Sequence, residues 1–281
     1  MIRPLLQDDV LLADIKSAGA TRGELHLWWL GQSGFLIQHD GRHLLVDPYL
    51  SDSLTAKYAA TDKPHVRMTE RVIAPERLDF VDVAASTHNH TDHFDPETLA
   101  PLLAVNPKLA IVVPAANRET AAERLGVSSD RLLGIDDGQA VDVGEFELTA
   151  VPAAHETIER DEQGRMRFLG YLIRAGGFTV YHAGDTVLYE GMVARLASQP
   201  IDVALLPING REPARRVAGN LWGREAAWLA REIGARVAVP CHYEMFKFNT
   251  ATPEEFVAEC NRLGQPFRVV KAGERLTVER N

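Results

Sequence analysis

The chain has 281 residues, 46% of them hydrophobic, a net charge of −9 and two cysteines. That length and apolar content suffice for one large α/β core, so residues 1–281 are expected to form a single domain. The acidic balance disfavours a nucleic-acid partner, and two cysteines are too few for a disulfide framework. With no basic leader and no apolar run of about 18 residues, a soluble cytoplasmic protein without a membrane partner is expected.

Residues 1–24 are polar and mixed, with Leu11, Leu12 and Ile15 at helical spacing, which predicts an N-terminal helical extension. Leu25 to Trp29, Gly34 to Gln38 and His43 to Val46 read as a three-strand meander, broken at Gly31-Gln32-Ser33 and at Asp40-Gly41. Asp47-Pro48 ends the third strand. This carboxylate either opens the turn or hydrogen-bonds a metal-bound imidazole from behind. From 49 to 78 periodicity lapses and polar groups gather, marking a candidate substrate loop. Within it Arg67 and Arg71 either grip an anionic group or face solvent.

Val81 to Ser86 reads as a short buried strand, and Asp95-Pro96 as the N-cap and first position of a helix. Between them runs Thr87-His88-Asn89-His90-Thr91-Asp92-His93. His88 and His90, two apart in extended chain, send both imidazoles to one side and can share a metal. Asp92 and His93 follow where the chain turns toward the helix, and can reach a second one. Imidazole and carboxylate donors suit zinc, iron or manganese, and the lack of nearby thiolates argues against a structural zinc knot.

Downstream, Leu109 to Val113 is a strand and Asn117 to Leu125 a helix. Val141 to Val143 and Phe146 to Val151 alternate as a hairpin that ends in Pro152-Ala153-Ala154-His155. A second hairpin, Phe168 to Arg174 and Phe178 to His182, ends in Ala183-Gly184-Asp185-Thr186. Ile201 to Pro207 is a buried strand, followed by a loop in which Arg211, like Arg67, either binds an anion or is solvated. Trp222 to Ile233 is a helix capped by Gly234, and Val237 to Pro240 a strand running into Cys241-His242. A last helix, Pro253 to Leu263, and a strand from Phe267 to Val278 complete the chain. Cys241 and Cys260 read as buried thiols.

His-x-His-x-Asp-His after a strand resembles the signature of the metallo-β-lactamase superfamily. The resemblance implies an α/β, four-layer αββα fold, two mixed sheets face to face with helices outside, and two divalent metal ions, Zn or Mn. It also implies the remaining ligands. His155 joins His88 and His90 on one metal, Asp185 bridges, and His242 joins Asp92, His93 and Asp185 on the other. His182, ending an apolar strand beside Asp185, reads as a core or supporting histidine rather than a ligand. Trp28-Trp29-Leu30-Gly31-Gln32-Ser33-Gly34, Val180 to Asp185 and Ile201 to Leu205 resemble the L-ascorbate-6-phosphate lactonase subgroup. Thr87-His88-Asn89-His90 is also similar to the metal loop of N-acyl-phosphatidylethanolamine-type phospholipases.

The implied activity is hydrolysis. A metal-bridged hydroxide opens a lactone or ester of a small, anionic, sugar-phosphate-like substrate, with Asp92 orienting the hydroxide or taking its proton. A phosphodiesterase is the alternative, and the lactonase likeness hints at a homo-oligomer. Redox di-iron proteins on this fold typically carry Glu in place of the second motif histidine, here His90. An idle scaffold would lack ligands that this chain keeps.

Overall fold

The computed structural model describes residues 1–280, with thirteen strands in two sheets. β1 (Leu25–Gly31), β2 (Gly34–His39) and β3 (Arg42–Val46) form the predicted antiparallel meander. β4 (Val83–Ala85), β5 (Ala110–Pro114) and β6 (Leu132–Ile135) then add in parallel beside β3. The second sheet starts as an antiparallel run of β7 (Ala140–Val143), β8 (Phe146–Pro152), β9 (Leu169–Ala175) and β10 (Phe178–His182). It ends with β11 (Val203–Pro207) and β12 (Val237–Cys241), parallel to β10. β13 (Arg275–Val278) returns to the first sheet, antiparallel on β1.

One hydrophobic cluster is continuous through both sheets, from Leu27, Phe35 and Leu45 to Leu172, Val180 and Leu205. Helices cover the outer faces. α1 (Asp8–Ala18) buries Leu11, Ile15 and Ala18, and the Trp28 indole donates to Asp14 at 2.8 Å. Each large side chain buried this way contributes roughly 1.5–3 kcal/mol. Because a helix covers its outer side, every residue of β1 is buried, and its sequence reads as a continuous apolar run rather than an alternating one. The remaining helices are α2 (Ser53–Tyr58), α3 (Pro96–Val105), α4 (Arg118–Leu125), α5 (Met192–Leu196), α6 (Gly223–Glu232) and α7 (Glu254–Leu263). α4 packs on β5 and β6 of the first sheet, α6 on β11 and β12 of the second, giving the four-layer αββα order. No helix among the described residues is long and apolar enough to cross a membrane.

Three expectations change. The predicted strand from Phe267 to Val278 is regular only at its end: Phe267 makes an isolated bridge to Ala238, and a turn at Gly273 then carries the chain across to β1. β6, α2 and α5 are additional elements, each too short to carry a periodic signal. The segment 49–78 is not structureless, since it holds α2 and a 3-10 turn at Pro75–Arg77. Ser51 and Ser53 hydroxyls donate to Asp95 at 2.6 and 3.0 Å, pinning that segment to the start of α3.

Candidate metal centre

The chain ends that leave β4, β8, β10 and β12 meet, and each brings part of one donor cluster. The loop after β4 carries His88, His90, Asp92 and His93. His155 follows β8, Asp185 follows β10 and His242 follows β12. Their donor atoms form three groups, each within 4.8 Å: His88, His90 and His155; His88, His93 and Asp185; and Asp92, His93 and His242. Asp185 lies between the outer groups. Its Oδ1 is 3.3 Å from His93 Nε2, and its Oδ2 is 3.2 Å from His242 Nε2 and 3.9 Å from His155 Nε2.

Gly184 makes this placement possible. It has a φ of +61°, and a Cβ there would come within 2.7 Å of the Leu169 carbonyl oxygen and 2.9 Å of Thr87, so no other residue fits without moving backbone.

A group behind His88, His93 and His155 decides which of their nitrogens points inward. His93 Nδ1 lies 2.7 Å from Asp47 Oδ2 and donates to it, so Nε2 is turned to the cluster. Asp47 also accepts from the Thr87 amide and hydroxyl, both at 2.7 Å. The Thr87 oxygen lies 3.1 Å from His88 Nδ1 and accepts its proton, completing a relay from ring to hydroxyl to carboxylate. His155 Nδ1 donates to the Gly219 carbonyl at 3.2 Å. His182 is committed on both sides: Nε2 donates to the Ser33 carbonyl at 2.8 Å, and Nδ1 accepts from the Gly184 amide at 3.0 Å. With both nitrogens used it supports the Asp185 turn and has none left for a ligand.

The cluster's inner atoms lack protein partners. His88 Nε2, His93 Nε2 and Asp185 Oδ1 are buried without an aligned hydrogen bond, a condition that costs about 1–3 kcal/mol per group when nothing else satisfies it. Converging imidazole nitrogens and carboxylate oxygens of this kind fit a divalent cation. The electrostatics agree. Burial, with His93 and His90 nearby, presses His88 well below its ordinary range, so its ring is neutral. Burial opposes charge on His93 and His242 too, but there the surrounding carboxylates, Asp185 foremost, outweigh it. They hold His93 well above its usual range and push His242 up to about 9. Burial alone would raise Asp92 and Asp185, yet those two histidines keep both carboxylates below the usual range. Protons on His93 and His242 thus balance the carboxylates in the metal-free protein.

The donors open onto a cleft of about 560 Å³ whose lining includes His90, Asp92, His155, Asp185 and His242. Residues 49–78 contribute Leu54, Lys57, Tyr58 and His65 to it. The three arginines singled out from the sequence are not among its lining. Arg67, 9% exposed, donates to Asp52 at 2.6 Å and to the Ser51 carbonyl. Arg211 forms a two-pronged pair with Glu225, both contacts 2.6 Å, at the start of α6. Arg71 is exposed, away from the cleft.

Residues without a sequence-assigned role do reach the site. Gln32, fully buried in the β1–β2 turn, donates from its side-chain Nε2 to Asp92 Oδ2 at 2.8 Å, and its main-chain carbonyl accepts the His242 main-chain N–H at 2.8 Å. Arg124 on α4 braces the metal loop through the Asn89 carbonyl, the Thr91 hydroxyl and the Phe94 carbonyl. The only sequence hint for Gln32 is a polar residue between two glycines in a tight turn; Arg124 has none. Cys241 and Cys260 are free and buried, and burial pushes the Cys241 thiol well above its ordinary range, which leaves it no nucleophilic role.

Comparison with known proteins agrees with this geometry. Residues 42–243 match the beta-lactamase superfamily domain. A UPF0173 metal-dependent hydrolase of Rubrobacter xylanophilus is 31% identical over 267 residues, covering 90% of this chain and 97% of the relative. Among solved structures, a metallo hydrolase from Ignicoccus hospitalis superposes with a TM-score of 0.67 at 23% identity, over 92% of this chain and all of that one. An isothiocyanate hydrolase from Delia radicum gut bacteria gives 0.69 at 19% identity, over 89% and 98%. Matched along most of its length, with a His/Asp cluster at its strand ends, the chain belongs to the UPF0173 metal-dependent hydrolases of the metallo-β-lactamase superfamily.

Proposed function

We propose that this hydrolase opens a lactone or ester of a small substrate at two divalent cations, zinc or manganese. His88, His90 and His155 hold one, Asp92, His93 and His242 the other, and Asp185 is shared. The support is the position of the Asp185 carboxylate between the two assigned sets: its Oδ1 is 3.3 Å from His93, its Oδ2 is 3.2 Å from His242 and 3.9 Å from His155, and its donor group joins His88 to His93. When bound there, the cations lower the pKa of a water to make the nucleophile and polarise the oxygen of the scissile group. The protein's own part falls first to Asp92. Its side chain is 18% exposed to the cleft and is steadied by the Gln32 amide, which donates to Oδ2 at 2.8 Å, so it accepts the proton of the attacking water. Lys57 lines the cleft without an ion-pair partner among the described residues, and it meets whatever negative charge the substrate carries. Two free, buried cysteines suit a cytoplasmic setting.

The test is metal content by elemental mass spectrometry on protein purified without added metal, paired with hydrolysis of a lactone panel and of bis-p-nitrophenyl phosphate. Close to two metals per chain with lactone turnover is the expected result. Phosphodiester turnover alone moves the assignment to a phosphodiesterase, and no metal with no activity after adding zinc or manganese overturns it.

A further inference from the structure

One wall of the cleft differs in kind from the rest. Tyr58 at the end of α2, His65 in the loop after it, and Phe246 and Phe248 beyond His242 form a continuous run of rings. Tyr58 stacks on His65 with centroids 4.1 Å apart and planes at 20°; Phe248 and Phe246 meet the same imidazole at 4.4 and 5.1 Å, inclined at 58° and 70°. All four line the cleft together with Asp92, Asp185 and His242. Phe246 belongs to a small apolar cluster separate from the main core, with Tyr49, Leu54 and Met245. Tyr58 and Phe248 pack on its edge and stay only half buried. The uncovered surface of Phe248 is apolar and lines the cleft that holds the donor cluster, while Tyr58, stacked on His65, has the Lys57 ammonium 5.2 Å over its ring and leaves its edge and hydroxyl to the cleft.

The imidazole in this wall is fixed. His65 Nδ1 donates to the Lys63 carbonyl at 3.0 Å, while the Thr55 hydroxyl donates to the His65 carbonyl at 2.7 Å. Nε2, on the opposite edge of the ring, takes no bond from the described residues. Burial lowers the affinity of this ring for a second proton, so Nε2 is an acceptor. Asn249, the neighbouring amide of the cleft, already has its oxygen engaged by Asn209 at 3.0 Å. The wall therefore offers aromatic surface, the His65 Nε2 acceptor, and the Tyr58 hydroxyl at its edge. A flat ring covers this surface and needs only one polar contact beyond it, which His65 Nε2 supplies.

We infer that this wall is a substrate subsite for a flat aromatic or heteroaromatic ring that bears a hydrogen-bond donor and is joined to the acyl side of the group being hydrolysed. The inference rests on the lactone or ester reading above and specifies its substrate class. Phe248, with the edge of Tyr58, takes the ring against the metal residues, and His65 Nε2 accepts from its donor.

The test compares kcat/KM for butyrolactones that share one leaving group and differ only on the carbon next to the carbonyl: unsubstituted, cyclohexylmethyl, benzyl and 4-hydroxybenzyl, with gluconolactone as the sugar arm. The wild-type, metal-loaded enzyme is expected to favour benzyl over cyclohexylmethyl by about tenfold or more, 4-hydroxybenzyl further still, and gluconolactone least. Phe248→Leu, which keeps apolar bulk but removes the flat ring, should bring the benzyl to cyclohexylmethyl ratio to within about twofold, mainly through KM. His65→Phe should keep the benzyl preference and lose the advantage of the hydroxyl. Turnover of the unsubstituted lactone with no benzyl preference, a preference for gluconolactone, or an unchanged ratio in Phe248→Leu overturns the subsite alone. No turnover of any lactone by the wild type overturns the lactone reading, and the subsite with it.

Discussion

Asp185 is the residue on which the donor groups meet, and its removal separates two roles. Asp185→Ala is expected to leave the chain folded by circular dichroism but to lose at least one metal equivalent and most hydrolytic activity; unchanged metal content would count against a shared carboxylate. Asp47 acts one layer further back. It holds His93 Nδ1 and two donors of Thr87, each at 2.7 Å, with its own backbone at a φ of +47°. Asp47→Ala is expected to weaken metal binding by about 10–100-fold, because the imidazoles lose the acceptor that orients them. A chelator competition titration reads this directly. From the sequence Asp47 was equally a turn residue, and only the approach of the metal loop chooses between the two roles.

At the level of elements, Asp95 joins three pieces of chain. It caps α3 by accepting the Glu97 amide, and it also accepts the hydroxyls of Thr98, Ser51 and Ser53. The cap was legible from Asp-Pro; the serines, more than forty positions upstream, were not. Asp95→Ala is expected to cost about 2 kcal/mol, one cap plus orphaned hydroxyls, and to lower Tm by roughly 4–8 °C for a chain of this size. A shift no larger than that of an ordinary surface substitution would mean that solvent replaces those bonds. The strands that were easiest to read are the ones bounded by Gly turns, as at Gly176-Gly177. β6 escaped because of its length, four residues with Leu133 exposed and Gly134 half-buried between the buried Leu132 and Ile135.

Over the whole molecule, protonation couples to metal binding and to stability with opposite signs. The folded-state pKa of His242 is raised to about 9 and that of His93 well above its usual value, so a cation must displace their protons. Metal affinity should therefore climb between about pH 6 and about pH 8, by up to about tenfold per pH unit for each proton released; a flat profile would show that these histidines are not displaced. In the metal-free protein the His242 contribution to stability is present at low pH and is lost as pH rises through about 9. His43 behaves in reverse. Burial lowers it to about 4, so its unfolded form takes up a proton first, and stability falls as pH drops from about 6.5 toward about 4. Urea denaturation of wild type and His43→Phe at about pH 5 and about pH 7 should show a smaller acid loss in the variant.

The sequence by itself determined what covalent spacing controls. His88, His90, Asp92 and His93 sit on one short loop between a strand and a helix, so their proximity follows from the chain whatever surrounds it. Strand ends rich in small residues before His155 and Asp185 were also visible, and family resemblance joined them to the loop. Tertiary structure decided everything that depends on which distant segment arrives. Gln32 touches Asp92 across sixty positions of sequence, and Arg124 reaches back to brace the loop. Arg67 and Arg211, free in principle to face a substrate, are taken by Asp52 and Glu225. A guanidinium has the same chemistry at every position and pairs with whichever carboxylate the packing brings near. Among the described residues the cations lining the cleft are therefore Lys57 and Arg124, the latter held by the metal loop, beside an aromatic wall.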